Sequence, residues 1–439
     1  MSPLHEPFGS ALSAKVRRAR LSSWHIPLAY AVGAVLLGVV LPRIEDRFLP
    51  GWSSGISPPA AMAIYSAAAT GMITLTGIVF SLAFVMVQFS ATAYSPRLVL
   101  WMSRDPLVPH AIGVFTATFL YALAALAWVD RQNSGIVHFF SGWLIVGLLL
   151  ASVAVFVGLI RSLGRLQINS VLAFTGDFAR QTIDLMYPSA ETPITLGTTE
   201  FRHLPVTQSI SYSGPPRAIQ SLDIAALVGM AEEADGVIEM VSSVGDTVVE
   251  STPLLRIYGA RRLIGEKDLK AAVRTGLERT FEQDPKYAIQ LLRDIGIRAL
   301  SPAVNDPTTA VQALDQIEDL LLRLGRRRLE IGEIFGSSGC LRLVLAVPSW
   351  DDLVNLAFTE IRFYGAQSIQ VMRRMNALLS DLTIALPKKR RAALRCQQRR
   401  LESAIVRSFP NIEDQVEASA EDREGLGQTR RHQTVDVHH

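Results

Sequence analysis

Eight residues at helical spacing hold the chain's clearest chemical signal: Ser66, Thr70, Thr74, Gly77, Ser81, Gln88, Thr92 and Ser95. At about 100° per residue they fall within an arc of about 80°, and Phe84 sits at its edge. Leu75, Val79, Leu82, Met86 and Phe89 occupy the opposite side, with Thr76 and Ser90 off the stripe. The stripe has no ionisable residue to relay protons, but its hydroxyls and one carboxamide can hydrogen-bond. One use is packing, because Ser, Thr and Gly let membrane helices approach closely. The other is to line a water-filled path, with Phe84 as an apolar constriction that gates by dewetting. The stripe runs for more turns than a single contact needs, which favours a lining without excluding packing.

The element that must present these residues is a long apolar helix. No Asp, Glu, Lys or Arg occurs between Arg47 and Arg97. About 20 apolar residues cross a bilayer, and the segment from Ala60 to Pro96 is much longer. It must therefore tilt, bend near Gly71 or Gly77, or protrude. With three further apolar runs, the predicted spans lie at about 24–41, 60–93, 111–129 and 136–160. A hydrophilic link with Arg43, Glu45, Asp46 and Arg47 separates the first two. The polar leader, residues 1–23, has no cleavage signal after it and is read as retained. It holds Lys15, Arg17, Arg18 and Arg20, and basic residues also favour the loop after the second span and the exit from the fourth. The positive-inside rule then places both termini in the cytoplasm of an inner-membrane protein.

Charge becomes dense after residue 162, which marks a soluble domain over about 163–410 and a charged, disordered tail over 411–439. Within it, Gly236 to Gly259 is β-like, two apolar runs flanking the turn Gly245-Asp246. Residues 188–218 read as loop, and 221–234 and 266–282 as helices. Asp284-Pro285 and Asp306-Pro307 each pair a cap residue with a first-turn proline, opening helices over about 285–299 and 307–325. Ser349 to Asp352 resembles a capping box that opens a helix to about Ser380. The fold expected is four transmembrane α-helices followed by a cytoplasmic α+β domain with a small β-module.

Catalysis finds little support. There is no GxSxG, P-loop or GxGxxG, and the eight histidines lack metal-site spacing. The expectation is a non-enzyme without cofactor or metal. A net charge of +3 is too small to argue for nucleic acid. Cys340 and Cys396 read as reduced thiols. Asn305, Asp306, Thr308 and Thr309 read first as a helix start. The alternative is that the Ser301–Thr309 loop meets an anion, a neighbouring subunit or the membrane domain near Arg97. Arg323 to Arg328, and the helix with Lys388, Lys389, Arg390, Arg391 and Arg395, are either solvated or bind anionic lipid headgroups.

The runs Val87-QFSATAYSPR-Leu98 and Arg298-ALSPAVNDPTTAVQALDQIEDLL-Leu322 resemble a bacterial family of predicted membrane proteins, a domain of unknown function numbered 2254. The resemblance reaches from the first span to about residue 410. It implies four spans plus a soluble domain and implies no activity. Gly245-DTVVESTPL-Leu255 is similar to the hairpins of lipoyl-like and efflux-adaptor barrels, with Ser251 where glycine is usual. It has no lysine to carry lipoate or biotin, so it reads as a module for packing or assembly. The functional expectation is a homo-oligomeric channel lined by the second helix and gated by the soluble domain. The rival is a membrane-anchored sensor or scaffold, in which the stripe is buried inside one subunit's bundle.

Overall fold

The computed structural model describes residues 25–49, 52, 54–93, 107–132, 137–164, 168–189 and 201–427. These form two compact units, which meet in sequence between Gly164 and Ile168.

The first unit is four helices: α1 (His25–Phe48), α2 (Pro58–Ala93), α3 (Leu107–Gln132) and α4 (Phe139–Gly164). Each contains a stretch long and apolar enough to cross a membrane. α3 is the hub and packs against the other three. Small residues permit this: Ala34, Ala61, Ala68, Ala69, Ala117, Ala122 and Ala125 are buried together around Tyr65 and Tyr121. Gly38 lets α1 and α3 approach closely, since an added Cβ would lie 2.5 Å from that of Ala124. Thr118 and Ser152, both fully buried, join their hydroxyls across α3 and α4 at 3.1 Å.

α1 departs from the expected span. It does not stop at Leu41 but runs through Pro42 and takes in Arg43, Glu45, Asp46 and Arg47. An internal proline removes one backbone bond, yet the polar turn beyond it is held by partners from other elements. Arg43 donates to the Val39 carbonyl at 2.9 Å and lies over the Trp128 ring.

The second unit opens with α5 (Ile168–Met186). Then come β1 (Val206–Ser211), β2 (Arg217–Leu222), α6 (Ile224–Glu233), β3 (Val237–Met240), β4 (Thr247–Val248), β5 (Pro253–Tyr258), α7 (Glu266–Ala271) and β6 (Val273–Gly276). There follow α8 (Pro285–Ala299), α9 (Pro307–Gly325), β7 (Glu333–Phe335), β8 (Leu341–Val344), α10 (Trp350–Tyr364), α11 (Ile369–Ala385), α12 (Arg391–Ser408) and α13 (Ile412–Ser419). A five-stranded sheet has the order β1-β5-β3-β8-β7, antiparallel except for the parallel pair β3–β8. A three-stranded antiparallel sheet has the order β4-β2-β6. Ile219, Leu227, Ile238, Leu255, Ile257 and Leu343 fill one core between them. α9 centres the helical layer and packs against α5, α8, α10 and α11.

Local sequence signals act where expected at three helix starts. Asp284 and Asp306 cap α8 and α9, each followed by proline, and Ser349 with Asp352 makes a reciprocal capping box on α10. Elsewhere tertiary pairing overrides them. The runs flanking Gly245-Asp246 do pair, through β3 and β5, but the strand directly after the turn, β4, leaves them and joins β2 in the other sheet. The expected helix over 266–282 is only α7, because Val273 to Gly276 pairs with β2 as β6. The helix expected to reach Ser380 breaks at Gly365 into α10 and α11. Residues 411–427, assigned from composition to a disordered tail, include α13 packed on α11. Arg373 donates to the Glu417 carbonyl and carboxylate at 2.7 and 2.9 Å.

Candidate functional site

The stripe on α2 faces away from its own bundle. Ser66, Thr70, Thr74, Gly77, Ser81, Phe84 and Gln88 are all exposed on this chain. Ala61, Tyr65, Ala68, Ala69, Met72 and Val79 supply the buried side. At about 100° per residue the two sets centre roughly 160° apart, so the stripe occupies the outward face. Exposed Ile73 and Phe80 flank it on one side, Ile78 and Val85 on the other. Thr92 belongs to α2, but its side chain lies outside the described residues, as do Ser95 and Arg97 entirely.

Two hydroxyls of the stripe are already used as donors. Thr70 donates to the Ser66 carbonyl at 3.0 Å and Thr74 to the Thr70 carbonyl at 3.2 Å. Such back-bonding satisfies the proton within the helix and leaves oxygen lone pairs directed outward. The outward face therefore presents hydroxyl acceptors, glycine and one carboxamide, with the Phe84 ring 64% exposed among them.

At one end of the bundle a buried polar knot holds α1 to α4. Glu45, 3% exposed, accepts from the Phe140 and Ser141 amides and the Ser141 hydroxyl, each at 2.9 Å. These amides are among the unpaired donors of a helix N-terminus, where a carboxylate also complements the dipole. Tyr121 donates to the Ser141 carbonyl at 3.0 Å, and Asp46 sits 2.6 Å from His138 Nε2. Trp52, Phe139, Phe140 and Trp143 cluster at the same end, and the two tryptophans are of the amphipathic type enriched at membrane–water boundaries. Sequence reading assigned Glu45 and Asp46 to a link. Their partners lie more than ninety residues away in sequence, where no local pattern points.

The 301–309 loop is a helix start. The Asp306 carboxylate accepts from the Thr309 amide at 3.1 Å and the Thr309 hydroxyl at 2.6 Å. Ser301 donates to the Arg298 carbonyl and accepts the Asn305 amide at its own carbonyl. Asn305 adopts φ 46°, a left-handed conformation that asparagine tolerates. Thr308 is exposed and Thr309 buried. Thus Asp306 and Thr309 are occupied structurally, while Asn305 and Thr308 face outward.

Part of the basic run at the end of α9 is also held structurally, while Arg326 is exposed. Arg323 pairs with Asp319 and Asp184, and Arg327 bonds Asp184 and the Tyr187 carbonyl. Arg390 is buried against Trp350 and donates to the Arg327 carbonyl. A second buried charge lies under α8. Asp284 accepts from Arg279 Nε and Nη2 at 2.8 and 2.6 Å, and burial pushes its carboxyl above the ordinary aspartate range against the pull of Arg279. Among the described residues, no cluster of His, Cys, Asp or Glu could hold a metal ion.

Four apolar helices with an outward polar face, followed by an α+β unit, define a multi-pass membrane protein with a substantial extramembrane domain. The chain belongs to the predicted membrane protein family DUF2254, which matches residues 20–381. It is similar to the uncharacterized proteins Rv1290c of Mycobacterium tuberculosis and Mb1321c of Mycobacterium bovis. Each is 25% identical over 414 residues, spanning 90% of this chain and 77% of the relative. No solved structure matches.

Proposed function

We propose that the protein is a non-enzymatic, homo-oligomeric channel or pore of the bacterial inner membrane, lined by α2 and gated by the α+β domain. Both termini lie in the cytoplasm in this reading. The observation that carries it is the outward polar stripe. Ser66, Thr70, Thr74, Ser81 and Gln88 are exposed on a helix whose other side is packed. In lipid, that face gains from meeting water or other polar groups. Closing several copies around an axis provides both. The scaffold reading expects the stripe inside one subunit's bundle, and the exposure of Ser66, Thr70, Thr74, Ser81 and Gln88 on this chain favours the pore over it. Outward hydroxyl lone pairs suit a cation better than an anion.

The test combines assembly with leakage. A purified complex imaged as a closed ring, with α2 nearest its axis, supports the pore; a monomer refutes it. Phe84→Ser adds a functional arm. A fully buried phenylalanine loses about 3–5 kcal/mol on truncation, whereas this ring has about a third of its surface covered and should lose roughly 1–2 kcal/mol. In liposomes the variant should leak ions while keeping its fold. A folded, ring-forming variant as tight as the wild type would remove Phe84 as the gate.

A further inference from the structure

Most arginines of the α+β unit are neutralised. Arg279, Arg327, Arg342 and Arg374 each sit on a carboxylate. One group differs. Between α10 and α12 lies a pocket of about 370 Å³ lined by Arg362, Cys396, Arg399, Arg400, Ser403 and Arg407. Among the described residues, none of these four guanidiniums has a carboxylate within ion-pairing distance; Arg400 makes a long bond to the Asn355 carboxamide at 3.4 Å. Arg362 has its Nε buried with no hydrogen-bond partner. Burial, and then the charges of Arg400 and Arg407, pull its pKa below the ordinary arginine value. It nevertheless stays protonated, since an arginine has no accessible neutral form near pH 7.

Such an arrangement is unfavourable by itself. Like charges repel, and a buried donor without an acceptor carries a desolvation cost. Arg399, Arg400, Ser403 and Arg407 are exposed and share the outer face of α12. At about 100° per residue, Cys396, Arg399, Arg400, Ser403 and Arg407 occupy an arc of about 100° on α12, and Arg362 meets that arc from α10.

We propose that this pocket binds a ligand carrying phosphoryl groups, gripped by Arg362, Arg399, Arg400 and Arg407. Guanidinium forks match phosphate oxygens two at a time, and an anion would satisfy the buried Nε and cancel the repulsion together. The volume sits at the small end of ligand sites and admits a diphosphate-sized group. The phosphate has two sources, a soluble anion or a lipid headgroup. Exposed Phe363, Tyr364 and Val406, next in sequence to the lining, keep the headgroup in play. This inference is independent of the pore reading.

Cys396 provides the probe. The chain has two cysteines, and Cys340 is exposed, so full-length Cys340→Ser protein carries a single thiol inside the pocket. Its modification by N-ethylmaleimide is followed in nanodiscs of phosphatidylcholine alone, or of phosphatidylcholine with phosphatidylglycerol. Inorganic pyrophosphate is titrated against chloride of equal ionic strength. Several-fold slowing by pyrophosphate in both disc types identifies a soluble ligand class. Slowing by phosphatidylglycerol alone, with no further effect of pyrophosphate, identifies the headgroup. Arg362→Gln with Arg400→Gln should weaken protection by about tenfold or more per guanidinium and should not lower thermal stability, because repulsion is removed. Equal labelling rates under all four conditions would overturn the proposal, whether or not the double variant folds.

Discussion

Replacing Glu45 by alanine tests how the membrane unit is held together. The carboxylate is 3% exposed and accepts three hydrogen bonds from the start of α4. Removing it leaves two amides and a hydroxyl without acceptors. Hydrogen bonds to a charged group contribute about 1.5–3 kcal/mol each but do not add fully, so the expected loss is roughly 3–5 kcal/mol. For a domain of this size each kcal/mol shifts the melting temperature by about 2–4 °C, giving a fall of roughly 6–20 °C. The assay is thermal unfolding of detergent-purified protein, read by fluorescence-detected gel filtration. Glu45→Gln keeps one acceptor oxygen and should lose about half as much. A melting temperature within about 2 °C of wild type for Glu45→Ala would refute the cap, because no partial solvation of three donors is that inexpensive.

Two further outcomes follow from the α+β unit. Ser251 has φ 67°, a conformation costing a non-glycine residue about 1–2 kcal/mol. Ser251→Gly should be neutral or stabilise by up to about 1 kcal/mol after the unfolded-state entropy is counted, whereas Ser251→Val should destabilise; chemical denaturation ranks them. Asp284 has a folded-state pKa raised by burial. Its contribution to stability is complete below the unfolded value of about 3.9 and is lost as pH rises through the raised folded value. The wild type should therefore lose stability relative to Asp284→Asn as pH increases from about 4. A difference growing the other way would mean that Arg279, not burial, sets this carboxyl.

Much of this architecture was legible from local pattern. The four apolar runs, the Asp-Pro starts of α8 and α9 and the Ser349 box all act within a few residues of themselves. The misreadings share one cause. Val206 to Ser211 looks like loop because Ile210 is its only buried residue; its strand character comes from pairing with β5. Arg43 to Arg47 looks like a solvated link until α4, His138 and Trp128 supply partners. The stripe on α2 was legible as a face, but whether it turned inward depended on where α3 packed. In the densest basic runs, Arg323 and Arg327 pair with Asp319 and Asp184 and Arg390 bonds the Arg327 carbonyl, while Arg326, Lys388, Lys389 and Arg395 are exposed; the set lining the pocket is instead spread over α10 and α12. Its signal in sequence was the register Cys396, Arg400, Ser403, Arg407.

The parallel pair β3–β8 has a consequence for biosynthesis. β8 reaches the sheet only after α7, β6, α8, α9 and β7 have been made. At about 5–20 residues per second, the ribosome takes roughly 4–16 s to deliver it after β5. During that interval β1, β5 and β3 can pair, but the free side of β3 is an unprotected hydrogen-bonding edge, the kind that recruits strands from other nascent chains. β7 cannot shield it, since it reaches the sheet only through β8. α8 and α9 are thus interposed in the chain before the sheet is closed, and the helices that complete their layer, α10 to α13, are made only after it.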